Sequence, residues 1–422
     1  MDLKKGEVTN QRISVRFRDV RNLTLKLCLP LQTDDFMVQS TPDTSPAKWH
    51  LAHTTWFFER FILEKYLPNY KKFNRDFDFL FNSYYETVGS YFPKNMRGII
   101  SRPTLESLLE YRDYVDQSIS ELLESRSPKK EVSDLLELGI NHEQQHQELL
   151  LMDMKMNFFS NPIHPAYHGV LLKEGRSRDT EWIRVEGGLR EVGYHGSGFA
   201  FDNEKPAHTV MIQPFEIASR RVTNAEFLEF MNDNGYGRPE LWLSDGWSFI
   251  RSNHIRSPLY WIMENGEWKE FTLSGIIDLK DSFPVCHVSY YEADAFARWA
   301  GKKLPTEFQW EVASSLSSAP ASGEFMESGT FHPGTEKNGK HIHMLGTLWD
   351  WTGSAYLPYP GFRPLPGSVG EYNGKFMSGQ MVLRGGSCIT PMEHIRTTYR
   401  NFYQPEKRWQ FCGIRLAGDL FD

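Results

Sequence analysis

Residues 131–159, EVSDLLELGINHEQQHQELLLMDMKMNFF, carry both the clearest helical pattern and the strongest chemical signal in this chain of 422 residues. Leu135, Leu138, Leu149 and Met152 recur at helical spacing, which predicts one long helix with a buried face. His142 and His146 continue that stripe, so both imidazoles are expected to point inward rather than at water. Residues four apart on a helix have Cβ atoms about 5–6 Å from each other, close enough for two imidazoles to bind one ion. Neutral imidazole suits zinc, iron, copper or nickel, so the pair does not name the metal. Two ligands do not make a site, and the plain alternative is a pair of histidines satisfied by packing.

Further helices flank this one. Residues 45–67, SPAKWHLAHTTWFFERFILEKYL, open with Ser45 as the expected N-cap and Pro46 at the first helical position. Residues 101–124, SRPTLESLLEYRDYVDQSISELLE, predict a helix capped by Thr104, with Leu105, Leu108, Val115, Ile119 and Leu122 inward and Tyr111 at the flank. A first helix around Asp19–Leu31 completes a four-helix bundle. Glycine places the boundary. Only Gly6, Gly89, Gly98 and Gly139 precede residue 161, so 28 of the 32 glycines lie beyond it. Each glycine costs a helix interior about 1 kcal/mol, so the later part is expected to be loop-rich. SNPIHPAYHG then breaks the helical pattern with two prolines and a glycine. The expected division is a helical domain over 1–160, a linker over 161–175 and an irregular α+β domain over 176–422. Within the latter, VTNAEFLEFMND (capped by Thr223 or Asn224) and SYYEADAFARWA (capped by Ser289) read as helices.

Composition narrows the function classes. Hydrophobic residues at 40% and charged residues at 24% fit a soluble globular enzyme. A net charge of −7 argues against a nucleic-acid or anionic-membrane partner, because phosphate binding needs a basic face. No stretch has the length of apolar residues needed to span a bilayer, and the start has no signal-peptide core, so a cytoplasmic protein is expected. Cys28, Cys286, Cys388 and Cys412 lie far apart, which indicates neither a disulfide scaffold nor a thiolate zinc site.

The same five residues, His142 to His146, also match the zincin pattern, in which the Glu activates a zinc-bound water. The expected downstream ligand is missing: position 152 is Met, and Glu174 follows the proline-rich break with no helix to carry it. A third ligand is better sought upstream, where His50 and His53 lie three apart on another helix of the bundle. Either would give a three-histidine site with open positions, and spacing does not choose between them. In residues 81–104, FNSYYETVGSYFPKNMRGIISRPT, the adjacent phenols of Tyr84 and Tyr85 could deliver a proton or hydrogen atom. The forks of Arg97 and Arg102 could hold a substrate carboxylate. The bland readings are packing tyrosines and surface arginines.

Taken together, the chain resembles the ergothioneine sulfoxide synthase family of non-haem iron enzymes over essentially its whole length. The resemblance rests on HLAHTTWFFERF, NSYYETVG, RGIISRPT and NHEQQHQELLLMDMK in the first domain. In the second it rests on FAFDNEKPAHTV, VTNAEFLEFMNDNGY, WLSDGW, PVCHVSYYEADAFARWAGKKLPTEFQWE, LWDWTGSAY, RGGSC and YRNFYQPEKRWQFCGIRLA. It implies a DinB-like four-helix bundle followed by a formylglycine-generating-enzyme-like domain (sulfatase-modifying-factor, C-type-lectin-like). It also implies that His53 joins His142 and His146 as the ligands of Fe(II), with O2 as co-substrate. Family members join a thiol sulfur to C2 of the imidazole of hercynine, and the product is a sulfoxide.

The Tyr84–Tyr85 pair is similar to that of the cysteine-using branch, and Gln145 matches the position that contacts the substrate imidazole. Asn401 and Phe402 match the stretch that lines the trimethylammonium pocket, where a cation–π surface is needed. The γ-glutamylcysteine-using branch carries Trp and then Asp after that Asn. Here Phe402 and Tyr403 stand instead, which favours free cysteine as the thiol. Cys388 has Glu393 five residues on, so the two-cysteine chemistry of a formylglycine-generating enzyme is not expected. Related ovothiol- or selenoneine-type synthases share these motifs, and a metal-dependent thiol S-transferase is the alternative on a DinB-like bundle.

Overall fold

The computed structural model describes residues 2–125, 129–175, 179–316, 323–336 and 343–420. The chain divides into two compact units, the first holding Met1–Tyr167 and Pro366–Tyr372, the second His168–Leu365 and Asn373–Asp422. No helix among the described residues is long and apolar enough to cross a membrane.

Four long helices form the first unit: α1 (Asp2–Cys28), α2 (Ala47–Phe58), α3 (Leu105–Ser125) and α4 (Lys130–Ser160). Helix α1 starts well before the expected Asp19. Its buried positions Ile13, Phe17, Val20, Thr24 and Leu27 follow helical spacing, but the residues before them are too polar to advertise a helix. Every residue of α2 is buried, so it is the central helix, and it runs on through a π-helical turn at Glu59–Leu63. The carboxylate of Glu59 in that turn accepts hydrogen bonds from Tyr70 Oη (2.7 Å), Tyr111 Oη (2.6 Å) and the Phe73 amide (3.0 Å). Tyr111, expected at the flank of α3, is fully buried because its hydroxyl reaches this carboxylate.

Ser45 does not cap α2. Pro46 takes the N-cap position, while the Ser45 amide donates to Asp153 Oδ2 (2.8 Å) and its hydroxyl accepts from Arg97 (2.9 Å). Thr104 does cap α3, its hydroxyl accepting from the Ser107 amide at 3.2 Å. On α4 the expected Leu138 and Met152 are buried, together with Leu136, Leu150 and Leu151, whereas the expected Leu135 and Leu149 are only half-buried. The stripe is shifted because α4 packs against two helices at once. Gly139 makes the closest approach: a Cβ there would lie 2.5 Å from the Phe58 ring of α2.

The second unit is irregular α+β. Its strands form four small sheets. The first is three-stranded, β1 (Trp182–Val185), β4 (Phe215–Ala218) and β12 (Ala417–Asp419), all antiparallel, and β2 (Gly188–Val192) pairs with β3 (His208–Ile212). A meander follows, β5 (Trp261–Glu264), β6 (Glu267–Thr272) and β7 (Gly275–Asp278). The fourth has the order β10 (Asn401–Tyr403), β9 (Met381–Arg384), β8 (Trp349–Ala355), β11 (Cys412–Gly413). Both expected helices are present, α5 (Asn224–Asn232) capped by Thr223 and α7 (Tyr290–Trp299) capped by Ser289. Two more were not read from the sequence, α6 (Ser244–Ser252) and α8 (Glu307–Leu316). The capping signal of α8 is nonetheless present: the Thr306 hydroxyl accepts from the Gln309 amide, and the Gln309 side chain accepts from the Thr306 amide. Phe215, Ile217, Trp310 and Met344 centre the core of this unit.

Candidate metal centre

Helices α2 and α4 bring His53, His142 and His146 together, with one ligand atom of each within 4.8 Å of the others and all three rings buried. His53 Nε2 lies 3.2 Å from His142 Nε2. Two nitrogens bound to one divalent ion at about 2.0–2.1 Å would be spaced roughly 3.0–3.4 Å apart, so the pair already has ligand spacing. The donors are also in the state a metal requires. Burial pulls the His142 imidazole down to about 3, while His53 and His146 are held well below their ordinary value by burial and then by the neighbouring His142. Neutral imidazoles leave lone pairs available at neutral pH.

What lies behind the three imidazoles differs for each. His53 Nδ1 donates to the Phe81 carbonyl at 2.6 Å, which leaves Nε2 as its lone-pair nitrogen. One face of its ring stacks on Trp49 (4.6 Å between centroids), and the Arg97 guanidinium lies 3.3 Å from the Trp49 ring centroid. His50, the other upstream candidate, belongs to a different layer. Its Nδ1 meets His146 Nδ1 at 2.9 Å and its Nε2 meets Asp153 at 3.0 Å.

Glu143, which the zincin reading makes the water-activating base, turns the other way. Its carboxylate accepts from Arg21 (2.9 Å), Arg112 (2.5 Å) and Thr24 (2.7 Å). Burial alone would raise its carboxyl, but Arg112 and Arg21 overcome that and hold it at about 2. A carboxylate so occupied is not placed to take a proton at the histidine cluster.

Tyr85 is fully buried and Tyr84 stacks on it, with ring centroids 4.8 Å apart. Burial, then the adjacent phenols of Tyr84 and Tyr372, raise the Tyr85 hydroxyl well above its ordinary value, so it stays protonated. Tyr372 is a residue the sequence reading missed. It lies in the segment Pro366–Tyr372 that packs with the first unit, its ring 5.5 Å from that of His142, and its hydroxyl donates to Gln145 Oε1. Nothing in the local sequence GEYNG marks it; only the tertiary contact does. Glu371 pins this segment by accepting from the Glu86 and Thr87 amides, both at 3.0 Å, just beyond the tyrosine pair.

Arg97 is almost fully buried, whereas Arg102 is exposed and donates to the Ser101 carbonyl. Burial lowers Arg97 to about 9 even with Asp153 near, and burial and then Arg102 lower the Lys48 ammonium to about 8. Asn401 and Phe402 open β10 in the second unit. Phe402 stacks on Tyr356 at 4.1 Å, and Asn401 Oδ1 accepts from the Phe402 amide.

Comparison with known proteins adds to this geometry. Residues 16–150 match the DinB superfamily, and residues 168–342 and 341–420 match the sulfatase-modifying factor enzyme 1-like domain. A hercynine oxygenase of Mycolicibacterium thermoresistibile is 29% identical, the alignment spanning 95% of this chain and 93% of that protein. A hercynine oxygenase of Mycolicibacterium smegmatis is 32% identical across 67% of this chain and 71% of that protein. The chain belongs to the hercynine oxygenase family. It is therefore an oxidoreductase, built as a DinB-like bundle and a sulfatase-modifying-factor-like domain. A formylglycine-generating enzyme of Streptomyces coelicolor is 28% identical over 56% of this chain. In this member of the hercynine oxygenase family Cys388, in the stretch RGGSC, is fully buried and Glu393 stands five residues on.

Proposed function

We propose that this chain is a non-haem Fe(II), O2-dependent sulfoxide synthase that joins the sulfur of a small thiol to C2 of the hercynine imidazole, with cysteine preferred over γ-glutamylcysteine. The observation that carries the reading is the convergence of three buried imidazoles, with the buried, protonated Tyr85 linked to them through Trp56, whose ring lies 5.7 Å from that of His53 and 5.8 Å from that of Tyr85. The balance is hercynine plus thiol plus O2 giving sulfoxide plus water. The C2–H and S–H bonds are lost, the C–S and S–O bonds form, and the second oxygen atom leaves as water.

His53, His142 and His146 would hold the iron. Bound there, iron would supply open positions for the thiolate and O2 and the redox capacity of the reaction. The protein does the rest by placement. Tyr85 holds a proton it releases reluctantly in water and can give it up to oxygen chemistry beside it. Gln145, oriented by the Tyr372 hydroxyl, presents an amide for the substrate imidazole. Lys48 and Arg97, whose proton affinities burial lowers, and Arg102, whose charge acts on Lys48, would be the cations that meet a substrate carboxylate. Phe402 stacks with Tyr356 and Phe376 next to Asn401, an aromatic surface suited to a trimethylammonium group.

The test is O2 consumption and mass spectrometry on the Fe(II)-reconstituted protein, with hercynine or histidine against cysteine, γ-glutamylcysteine and a selenosugar. The hercynine–cysteine sulfoxide with matching O2 uptake is expected. Absence of O2 uptake with every pair overturns the reading, and a selenium or histidine product reassigns it to the related synthases.

A further inference from the structure

The buried polar residues behind His146 form a chain that no ligand assignment explains. Asp153 stands in LLLMDMKM, a charged group inside an apolar run, and is buried. A carboxylate is not left in such surroundings without donors. Its Oδ2 accepts from the Ser45 amide at 2.8 Å and faces His50 Nε2 at 3.0 Å. His50 Nδ1 in turn faces His146 Nδ1 at 2.9 Å. His146 and Asp153 lie seven residues apart on one face of α4, and His50 reaches between them from α2.

The proton positions follow from donor and acceptor accounting. An ionised carboxylate only accepts, so His50 Nε2 must carry a hydrogen. With its hydrogen on Nε2, His50 offers the lone pair of Nδ1, and the short contact to His146 then has His146 Nδ1 as the donor. His146 Nε2 is left bare, and with Nδ1 engaged by His50 it is the nitrogen that remains to be offered in the cluster with His53 and His142. We propose that Asp153 and His50 are positioning residues, a carboxylate–imidazole relay that fixes the tautomer and the ring orientation of His146. Neither touches the metal, and the inference rests on the reading of His146 as a ligand. The three imidazoles are thus held by unlike means: His53 by a backbone carbonyl, His146 by this relay, while His142 Nδ1 has no hydrogen-bond partner among the described residues.

The sequence hint is the pairing of H-x-x-H on α2 with H-x-x-x-H-x-x-x-x-x-x-D on α4. The arrangement also says why two histidines three apart on α2 have different jobs. His53 points at His142, and His50 points at the back of His146.

Two readouts test it, one without metal. Long-range nitrogen–proton correlation on histidine-labelled, metal-free protein reports the tautomer of each ring. His146 is expected with its proton on Nδ1 and His50 with its proton on Nε2. Cobalt(II) affinity by chelator competition is the second. Replacing His50→Ala or Asp153→Ala should weaken cobalt binding about 10- to 100-fold and alter the cobalt absorption bands. His50→Gln keeps one acceptor and one donor and should recover most of the affinity. Circular dichroism and the melting curve identify a variant that merely fails to fold, in which case the tautomer readout on wild type decides. Finding His146 protonated on Nε2, or unchanged cobalt affinity in a folded His50→Ala protein, overturns the relay. Wild-type protein that binds no cobalt but shows the expected tautomers defeats the metal reading and leaves the relay standing.

Discussion

The carboxylate of Glu143 receives hydrogen bonds from two buried arginines and a threonine, although it sits between two imidazoles in the sequence. It is an anchor of α1 and α3 on α4, and its charge is felt as pH dependence. Its carboxyl lies near 2 in the folded chain against an ordinary 4.5. The folded pKa is the lower one, so the stabilisation is complete above pH 4.5 and is lost as pH falls towards 2. The total is about 3 kcal/mol. Replacing Glu143→Gln should therefore cost roughly 3 kcal/mol at neutral pH. The deficit should shrink between pH 4.5 and 2, read by urea denaturation across that window. An equally stable variant at pH 7 would remove the anchor role. Tyr85 poses the chemical counterpart. Tyr85→Phe should lower sulfoxide formation about 100-fold and divert product to oxidised thiol, with metal content unchanged. An unaltered product ratio would move the proton to Tyr84 or Tyr372.

Helix α4 shows how packing decides what a residue is worth. Glycine in a helix interior costs about 1 kcal/mol relative to alanine, so Gly139→Ala would ordinarily stabilise. Here an added Cβ would lie 2.5 Å from the Phe58 ring and 3.1 Å from that of Phe57, both fully buried in α2. Overpacking wins, with an expected net loss of about 1–3 kcal/mol in thermal unfolding. Because α2 carries His53, weaker metal retention should accompany it. The helices were legible from their apolar periods, and so was the inward turn of His142 and His146. Their exact faces were less so. Leu136 rather than Leu135 is buried because α4 meets α1 and α2 together, which a single stripe does not describe. Helix α8 was missed although Thr306 and Gln309 spell its cap, since its short apolar run sits in a region otherwise read as loops.

For the molecule as a whole, the glycine distribution announced the change from a helical bundle to an irregular α+β unit, because glycine is tolerated in turns and penalised in helices. What composition could not announce is that Pro366–Tyr372, far along the chain, packs with the first unit and brings Tyr372 beside His142. Such a contact has no local signature. The placement of His50 was equally hidden, since spacing allowed either upstream histidine to be a ligand; in the fold His53 faces His142, whereas His50 faces Asp153 and Nδ1 of His146. The central claim is that one ion is held by exactly those imidazoles that α2 and α4 bring together. X-ray absorption on the Fe(II)-loaded protein, with metal content determined on the same sample, tests it most directly. One iron per chain with three imidazole nitrogens is expected, falling to no retained iron in His146→Ala. Substoichiometric iron, or an unchanged spectrum in His146→Ala, would contradict it.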